Sequence, residues 1–454
     1  MRANIRKVAR FFVAGFVVII LILTNLTVIK RERLMASPYN KHRLSGWDTQ
    51  SHRGGIYDYR GEVLAVTDNK SRRRHYPRGK TMAPVLGYLD PNIGAAGLEA
   101  RYSAELGGWP SFWAALGFGL PLTPVGEDLI LTVNANLQQL AMDCLAGYHG
   151  AAVVLDPRTG AVLALASQPS FDPEHIAQEW GNVYQDAASP LLNRAVQGLY
   201  PPGSILKLLT MASALSQKPD LATRLYNCSG TAYGIRCSEP HGELDLVTAL
   251  AVSCNTVFAE LGVELGNGIL AQQAKRIWFN RSIPFELPLA VSLFSSGQAD
   301  DNETAQRAIG QGQIVVTPMQ MALLTAAIAG EGVIWQPYLV QERHLAGRVF
   351  VQTKPRKLAS FISPAVATAL TEAMIEVSER GTGTGMFLPG VKVAGKTGTA
   401  ENPHGAPHAW YVGFAPADNP RVVVTVLVEN AGSGAAAALP LARQLLGLAL
   451  EEVS

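Results

Sequence analysis

The sequence predicts a mixed α/β (α+β) protein with one central sheet drawn from both ends of its larger region and a helical region inserted between. A small β-rich module precedes it, and one transmembrane helix precedes that. Three observations predict this. Short apolar runs with strand character occur at 151–155 and 161–166, and again at 392–399, 408–414 and 421–429. The stretch between, from about Asn193 to Gly330, carries helical periodicity. Phe11 to Ile29 is apolar and free of charge.

The 454 residues suggest two to three units. Hydrophobic residues at 48% and charged ones at 16% allow a sizeable core together with a membrane segment. A net charge of +2 gives no bulk electrostatic case for nucleic acid. Basic residues cluster instead at the N-terminus and in Arg72-Arg73-Arg74, which reads as a solvated face.

The elements follow in order. Residues 11–29 are long enough to cross a bilayer. Arg2, Arg6, Lys7 and Arg10 precede this run and Lys30, Arg31 and Arg33 follow, so charge asymmetry is small. No small-x-small cleavage site follows directly, which favours an uncleaved anchor over a signal peptide. The expected topology is a cytoplasmic tail at 1–10, the span at 11–29, and everything beyond outside. In the module 30–125, Arg53 to Ala65 reads as a hairpin around Tyr59-Arg60-Gly61, and Gly97-Leu98-Glu99 opens a helix-like segment. A Gly/Pro/Trp-rich linker runs through Pro124.

The larger region, 126–454, opens with a strand at 129–133 and a helix that Asn136 could cap. Asp156-Pro157-Arg158-Thr159-Gly160 is a turn joining two strands into a hairpin. Ser204 follows Pro201-Pro202-Gly203 at a predicted helix start, with Leu206, Leu208, Leu209 and Ala212 at helical spacing. A C-terminal helix over about 436–450 carries Leu439, Leu441, Leu445, Leu446 and Leu450. No internal repeat is visible.

Of the four cysteines, Cys144, Cys228, Cys237 and Cys254, the pair Cys228 and Cys237 brackets a short Gly-containing loop. That loop could close as a disulfide in an oxidising compartment, or the pair could remain buried thiols. No Cys/His spacing resembles a zinc site, and no metal is expected. His241 reads as part of a turn before the helix cap Asp245, and Cys254 as a packing residue.

Three patterns carry chemistry: Ser204-Ile205-Leu206-Lys207, Ser253-Cys254-Asn255 and Lys396-Thr397-Gly398-Thr399. Serine needs a base to become a nucleophile, and three residues along a helix Lys207 would share its face. A lysine serves as base when burial or positive charge lowers its pKa. The Ser253 hydroxyl can relay a proton and the Asn255 amide can hold a substrate amide. Lys396 and the threonine hydroxyls suit a carboxylate, and Gly398 permits close backbone approach. Taken singly, each is an ordinary cap or turn; the ordered set is the equipment of acyl transfer through a serine ester.

On these motifs the chain resembles a penicillin-binding protein, specifically the class B, transpeptidase-only kind, over roughly residue 53 to the C-terminus. Tyr200-Pro201-Pro202-Gly203, Gly310-Gln311-Gly312 and Thr317-Pro318-Met319-Gln320 are similar to further family segments. Tyr59, where the family usually has Arg, and Ile205-Leu206, in place of Thr-Phe, depart from its pattern. The resemblance implies the penicillin-binding/serine β-lactamase-like transpeptidase fold, a central antiparallel sheet plus a helical subdomain. It implies a D,D-transpeptidase acting on peptidoglycan stem peptides and trapped by β-lactams, with no cofactor. Ser204 would be nucleophile, Lys207 base and Ser253 proton shuttle; Asn255, Lys396, Thr397, Gly398 and Thr399 would bind substrate. A bacterial membrane location and a SEDS-class glycan polymerase as membrane partner are also implied. The rival readings are a D,D-carboxypeptidase, a serine β-lactamase, and a β-lactam-binding scaffold or sensor, for which the short tail supplies no output domain.

Overall fold

Five antiparallel strands build the central sheet: β1 (Gly150–Leu155), β2 (Val162–Gln168), β3 (Ala394–Ala400), β4 (His408–Ala415) and β5 (Val422–Val428). Their order is β3-β4-β5-β1-β2, so Val424 on β5 pairs with Val154 on β1 and the two ends of the larger region meet in mid-sheet. In the computed structural model, residues 2–25, 53–68, 70–71, 73–108, 125–403 and 405–452 are described. Side chains alternate across the sheet plane, as strand geometry requires. Ala152, Val154, Tyr411, Val424 and Val426 face a core shared with Leu137, Ala141, Leu439 and Leu445 of two flanking helices, Ala135–Cys144 and Ala438–Glu452. Val153, Trp410, Val412, Val423 and Leu427 face the other core, against helix Pro318–Ala329. Burial on both faces is why these strands read as continuous apolar runs.

The inserted region is helical as expected, with Lys207–Gln217, Leu246–Ala251, Asn255–Leu265 and Asn267–Arg276 as its main elements near the site. Helix starts follow capping chemistry: Asp245 accepts from Thr248 N–H, and Thr317 accepts from Gln320 N–H with Pro318 in the first turn. At Ala135–Cys144 the cap is Asn134, which accepts from the N–H groups of Asn136 and Leu137. Asn136 is already inside the helix, so its expected capping role passes to the extended residue ahead of it. Short antiparallel strands over residues 226–244 interrupt the helical region, an element that the helical period did not announce.

The N-terminal module is not free-standing. Its hairpin, Ile56–Tyr57 with Val63–Thr67, joins a six-stranded sheet through a parallel pairing of Ile56 with Leu129. That strand, Asp128–Leu131, pairs in turn with Val340–Leu345. A buried ion cluster clamps the module: Arg53 Nη2 lies 2.5 Å and Arg74 Nε 2.6 Å from the two carboxylate oxygens of Glu99. Arg74 is therefore no solvated residue, contrary to the reading of the Arg72–Arg74 run; Arg73 is exposed, and Arg72 lies outside the described residues. Tyr59 packs its hydroxyl against the Glu452 carboxylate at 3.3 Å, so the departure from the family pattern has a partner.

The first helix spans Arg2–Thr24, and its apolar side chains from Phe12 to Leu23 are exposed. Among the described residues no helix is long and apolar enough to cross a membrane. Residues 26–29 of the expected span, and the linker at 109–124, lie outside the described residues.

Burial alone would raise the Glu99 pKa, but Arg74 and Arg53 outweigh it and hold the carboxyl below its ordinary value. Its stabilising contribution is complete above the ordinary glutamate range and is lost as pH falls through the depressed folded-state value. Glu99→Ala strands two buried guanidinium groups. It is expected to cost about 3–5 kcal/mol, read as a lowered urea midpoint at neutral pH. A midpoint within error of the parent would remove the cluster from the fold's supports.

Candidate active site

The nucleophile turn is pinned from three sides. Tyr200 exchanges both backbone hydrogen bonds with Val316, and Gly203 N–H donates to Gly310 O at 2.9 Å. Trp410 Nε1–H on β4 donates to Pro201 O at 3.0 Å. Gly203 has φ 56°, and a Cβ there would lie 2.5 Å from the Thr399 carbonyl oxygen; one at Gly398 would lie 2.8 Å from Ile205 Cγ2. Two glycines thus let the turn Gly203–Leu206 press directly on β3. Ser204 sits in that 3-10 turn, partly exposed, and Lys207 begins the α-helix that follows.

Ser253 lies between two helices with φ 57°, a left-handed conformation uncommon for a residue with a side chain. Its N–H donates to Leu250 O and that of Cys254 to Ala249 O, which hold the kink. The next helix starts at Asn255 after Cys254, with no side-chain cap. The polar side chains of this motif therefore serve something other than capping: they turn to the lysines.

Lys207 and Lys396 are fully buried. Lys207 Nζ donates to Ser253 O at 2.6 Å and Asn255 Oδ1 at 2.7 Å, and lies 3.3 Å from Ser253 Oγ. Lys396 Nζ donates to Ser253 Oγ at 3.0 Å and Thr397 O at 2.9 Å. Among the described residues neither amine has a carboxylate partner. Burial lowers the Lys207 pKa to about 7, and burial followed by the charge of Lys207 lowers that of Lys396 well below its ordinary value. A neutral Lys207 has two N–H groups and one lone pair. With the N–H groups given to Ser253 O and Asn255 Oδ1, the lone pair remains to take a proton.

The structure thus brings Lys207, Ser253, Asn255 and Lys396 into one hydrogen-bonded group beside the Ser204 turn. Ser204 itself makes no side-chain hydrogen bond among the described residues, so the expected contact between its hydroxyl and the Lys207 amine is not formed here. Thr397 is buried and shares a 2.6 Å hydrogen bond with Thr382, whereas Thr399 is exposed and accepts from Gly434 N–H at 3.4 Å. Thr382 was not anticipated. It lies in Gly381-Thr382-Gly383-Thr384-Gly385, whose three glycines in five residues were the available signal, and its N–H donates to Ala251 O beside the Ser253 kink. Also unforeseen is Glu429, which accepts from Arg194 Nε at 2.8 Å and Tyr200 OH at 2.7 Å and so braces the approach to Ser204.

The cysteines depart from expectation. Cys228 and Cys237 are free thiols with their sulfurs 3.7 Å apart, so the bridge considered from sequence is absent. Together with His241 and Cys254 they form a group whose donor atoms all lie within 4.8 Å of one another, a set that can hold a metal ion. The linear spacing hid this, because Cys228 ends one short strand, Cys237 follows a second, His241 precedes a third and Cys254 sits at the N-cap of a helix.

A family model of the penicillin-binding protein transpeptidase domain matches residues 150–447, and one of the penicillin-binding protein A dimerisation domain matches 53–115. This chain belongs to the penicillin-binding protein transpeptidases. The peptidoglycan D,D-transpeptidase PbpA of Mycolicibacterium smegmatis is 34% identical over 100% of both chains, and that of Mycobacterium tuberculosis 33% identical over 99% of both. Among solved structures, the D,D-transpeptidase domain from Eggerthella lenta has a TM-score of 0.79 at 34% identity, covering 89% of this chain and 100% of that one. The ceftriaxone acyl-enzyme of M. tuberculosis penicillin-binding protein A has a TM-score of 0.79 at 32% identity, covering 89% and 98%.

For this penicillin-binding protein the second-order rate of acylation by a penicillin is expected to climb roughly tenfold per pH unit below the Lys207 pKa and to level above it; the break falls at about 7. A profile flat from pH 5.5 to 8 would remove Lys207 as the titrating base. Thr382→Val deletes one hydrogen bond to Thr397 and should slow acylation by about 0.5–1.5 kcal/mol, roughly two- to tenfold, in stopped-flow measurements.

Proposed function

We propose that the chain is a serine-type peptidoglycan D,D-transpeptidase that cross-links stem peptides through an acyl-enzyme on Ser204. The observation that carries this is the Ser253 hydroxyl held between two buried amines beside the Ser204 turn. Neutral Lys207 takes the Ser204 proton as Oγ attacks the penultimate D-Ala carbonyl. Backbone N–H groups of Ser204 and Thr399 receive the oxyanion. The C–N bond then breaks, and Ser253 passes the proton from Lys207 to the departing terminal D-Ala amine. An acceptor amine from a neighbouring stem attacks the ester carbonyl and yields its proton to the same relay. The C–O bond breaks and Ser204 recovers its proton. A β-lactam enters the first half-reaction by ring opening and remains as the ester.

Asn255 orients the substrate peptide, and Gly398 lets it lie along β3. Thr399, exposed on the strand, and Thr397 meet the terminal carboxylate. Lys396 donates to Ser253 Oγ and Thr397 O; when Lys207 is neutral its repulsion is relieved, and an incoming carboxylate favours the charged form of Lys396. The exposed apolar helix near the N-terminus supports the expected organisation: tail 1–10, span 11–29, module 30–125 and transpeptidase region 126–454 on the extracytoplasmic side of a bacterial cell membrane. The family resemblance supports a SEDS-class glycan polymerase as membrane partner.

Fluorescent penicillin should label the full chain, and peptide mapping should place the label on Ser204. Ser204→Ala should abolish labelling and fail to complement a deletion strain while the protein stays folded and membrane-bound. A label on another residue sinks the assignment, and complementation by Ser204→Ala would make the chain a scaffold. Given a donor and an acceptor stem, the product should be cross-linked dimer; free tetrapeptide alone would make it a carboxypeptidase. Lys396→Ala should weaken acylation by about 1–3 kcal/mol, roughly 5- to 150-fold.

A further inference from the structure

We propose that Cys228, Cys237, His241 and Cys254 form a structural zinc site that holds the Ser253–Asn255 loop in its active shape. The distances fit. Four ligands around zinc, with Zn–S near 2.3 Å and Zn–N near 2.0–2.1 Å, place sulfurs about 3.8 Å apart and nitrogen about 3.5 Å from sulfur in a regular tetrahedron. Here Cys228 and Cys237 sulfurs are 3.7 Å apart, Cys237 and Cys254 sulfurs 3.6 Å, and His241 Nδ1 lies 3.4 Å from Cys228 Sγ. Three thiolates and an imidazole are a donor set for zinc, and four protein ligands leave no open position, so the site is structural and not catalytic.

The surroundings suit thiolates. Thr256 Oγ1–H donates to Cys228 Sγ at 3.0 Å and Thr256 N–H to Cys237 Sγ at 3.4 Å, the outer hydrogen bonds that orient metal-bound sulfur. Cys228 and Cys254 are buried. The cluster also touches the reaction machinery at two points. Cys254 stands between Ser253 and Asn255, both of which hydrogen-bond Lys207. Arg236, next to Cys237, accepts from Asn255 Nδ2 through its carbonyl at 2.9 Å. One ion would therefore fix the strained Ser253 kink from its far side and set the Asn255 amide. This positioning role rests on the transpeptidase reading; the metal site itself does not.

The full-length chain, purified in detergent under reducing, chelator-free conditions, should carry one zinc per polypeptide by elemental mass spectrometry. Substitution with cobalt(II) should give the intense visible bands of a tetrahedral ion and thiolate charge transfer in the near ultraviolet. His241→Ala should lose the metal, whereas His241→Cys, which completes a four-thiolate site, should keep it. Zinc loss should lower the thermal midpoint and slow penicillin acylation at least tenfold, with recovery in His241→Cys. Metal far below one equivalent after zinc addition, occupancy by another metal in its place, or an intact mass that rises on reduction because Cys228 and Cys237 are bridged, would each overturn the site. One equivalent of zinc in the parent, lost in His241→Ala with acylation unchanged, would overturn the positioning role alone. Absence of penicillin labelling with zinc bound would instead count against the transpeptidase reading.

Discussion

The site depends on one constraint: a serine hydroxyl is held between two amine-bearing side chains that are both out of water. Lys207 and Lys396 reach Ser253 from different elements, an inserted helix and a strand of the central sheet, and neither has a carboxylate partner among the described residues. Two charges so placed disfavour each other, and desolvation disfavours both. The group is thereby kept short of full protonation near neutral pH, the condition under which an amine can accept a proton from serine. A single carboxylate beside either lysine would restore its charge and remove the base. The surrounding polar atoms are amides, carbonyls and hydroxyls, which orient the amines without fixing them as ammonium ions.

The fold explains why such an arrangement stays put. β3 is an edge strand of the sheet, and its neighbour β4 sends Trp410 under the Pro201 carbonyl, so the nucleophile turn is tied to the sheet through two adjacent strands. Gly203 and Gly398 remove the side chains that would separate turn from strand. Glu429, the residue just past the end of β5, gathers Arg194 and Tyr200 and sets the direction from which the chain enters the turn. The Ser253 kink is the third contributor, and its left-handed backbone needs support from outside, which Thr382 and the cysteine cluster stand ready to give.

Much of this was legible in sequence because it rests on local rules. The strands at both ends of the larger region, the Asp156–Gly160 turn and the hairpin near Tyr59 are set by apolar runs and turn residues, and each appears in the structure. The ordered motifs likewise brought Ser204, Lys207, Ser253, Asn255 and Lys396 to notice together. What escaped is non-local. The burial of Arg74 is decided by Glu99, twenty-five residues on in the chain. Thr382 meets Thr397 only after a long helix folds back over the sheet. The Asn134 cap differs from the expected Asn136 by where the first turn begins, a boundary that propensity fixes loosely. Lysine partners could not be read either: the i, i+3 spacing put Lys207 beside Ser204, yet the change from 3-10 to α geometry between them leaves its amine bound to residues 253–255.

The Ser253-Cys254-Asn255 triplet shows how one short segment can answer to two neighbourhoods. Its first and third side chains meet the lysines, while the middle one, Cys254, is buried with its sulfur beside Cys237 and Thr256. A residue in that middle position can influence catalysis only by holding the two outer residues in register. An apolar side chain would do so through packing, which tolerates small rotations. With the proposed zinc bound, a Cys254 thiolate attached to an ion that Cys228, Cys237 and His241 also hold would resist rotation about the segment axis, the very motion that would swing Asn255 away from Lys207 and the substrate. The same fixation extends to Arg236, whose carbonyl holds the other end of the Asn255 amide. The Asn255 amide accepts from Lys207 at one end and donates to the Arg236 carbonyl, next to Cys237, at the other, so an ion in the cluster would set the asparagine's orientation before the substrate arrives.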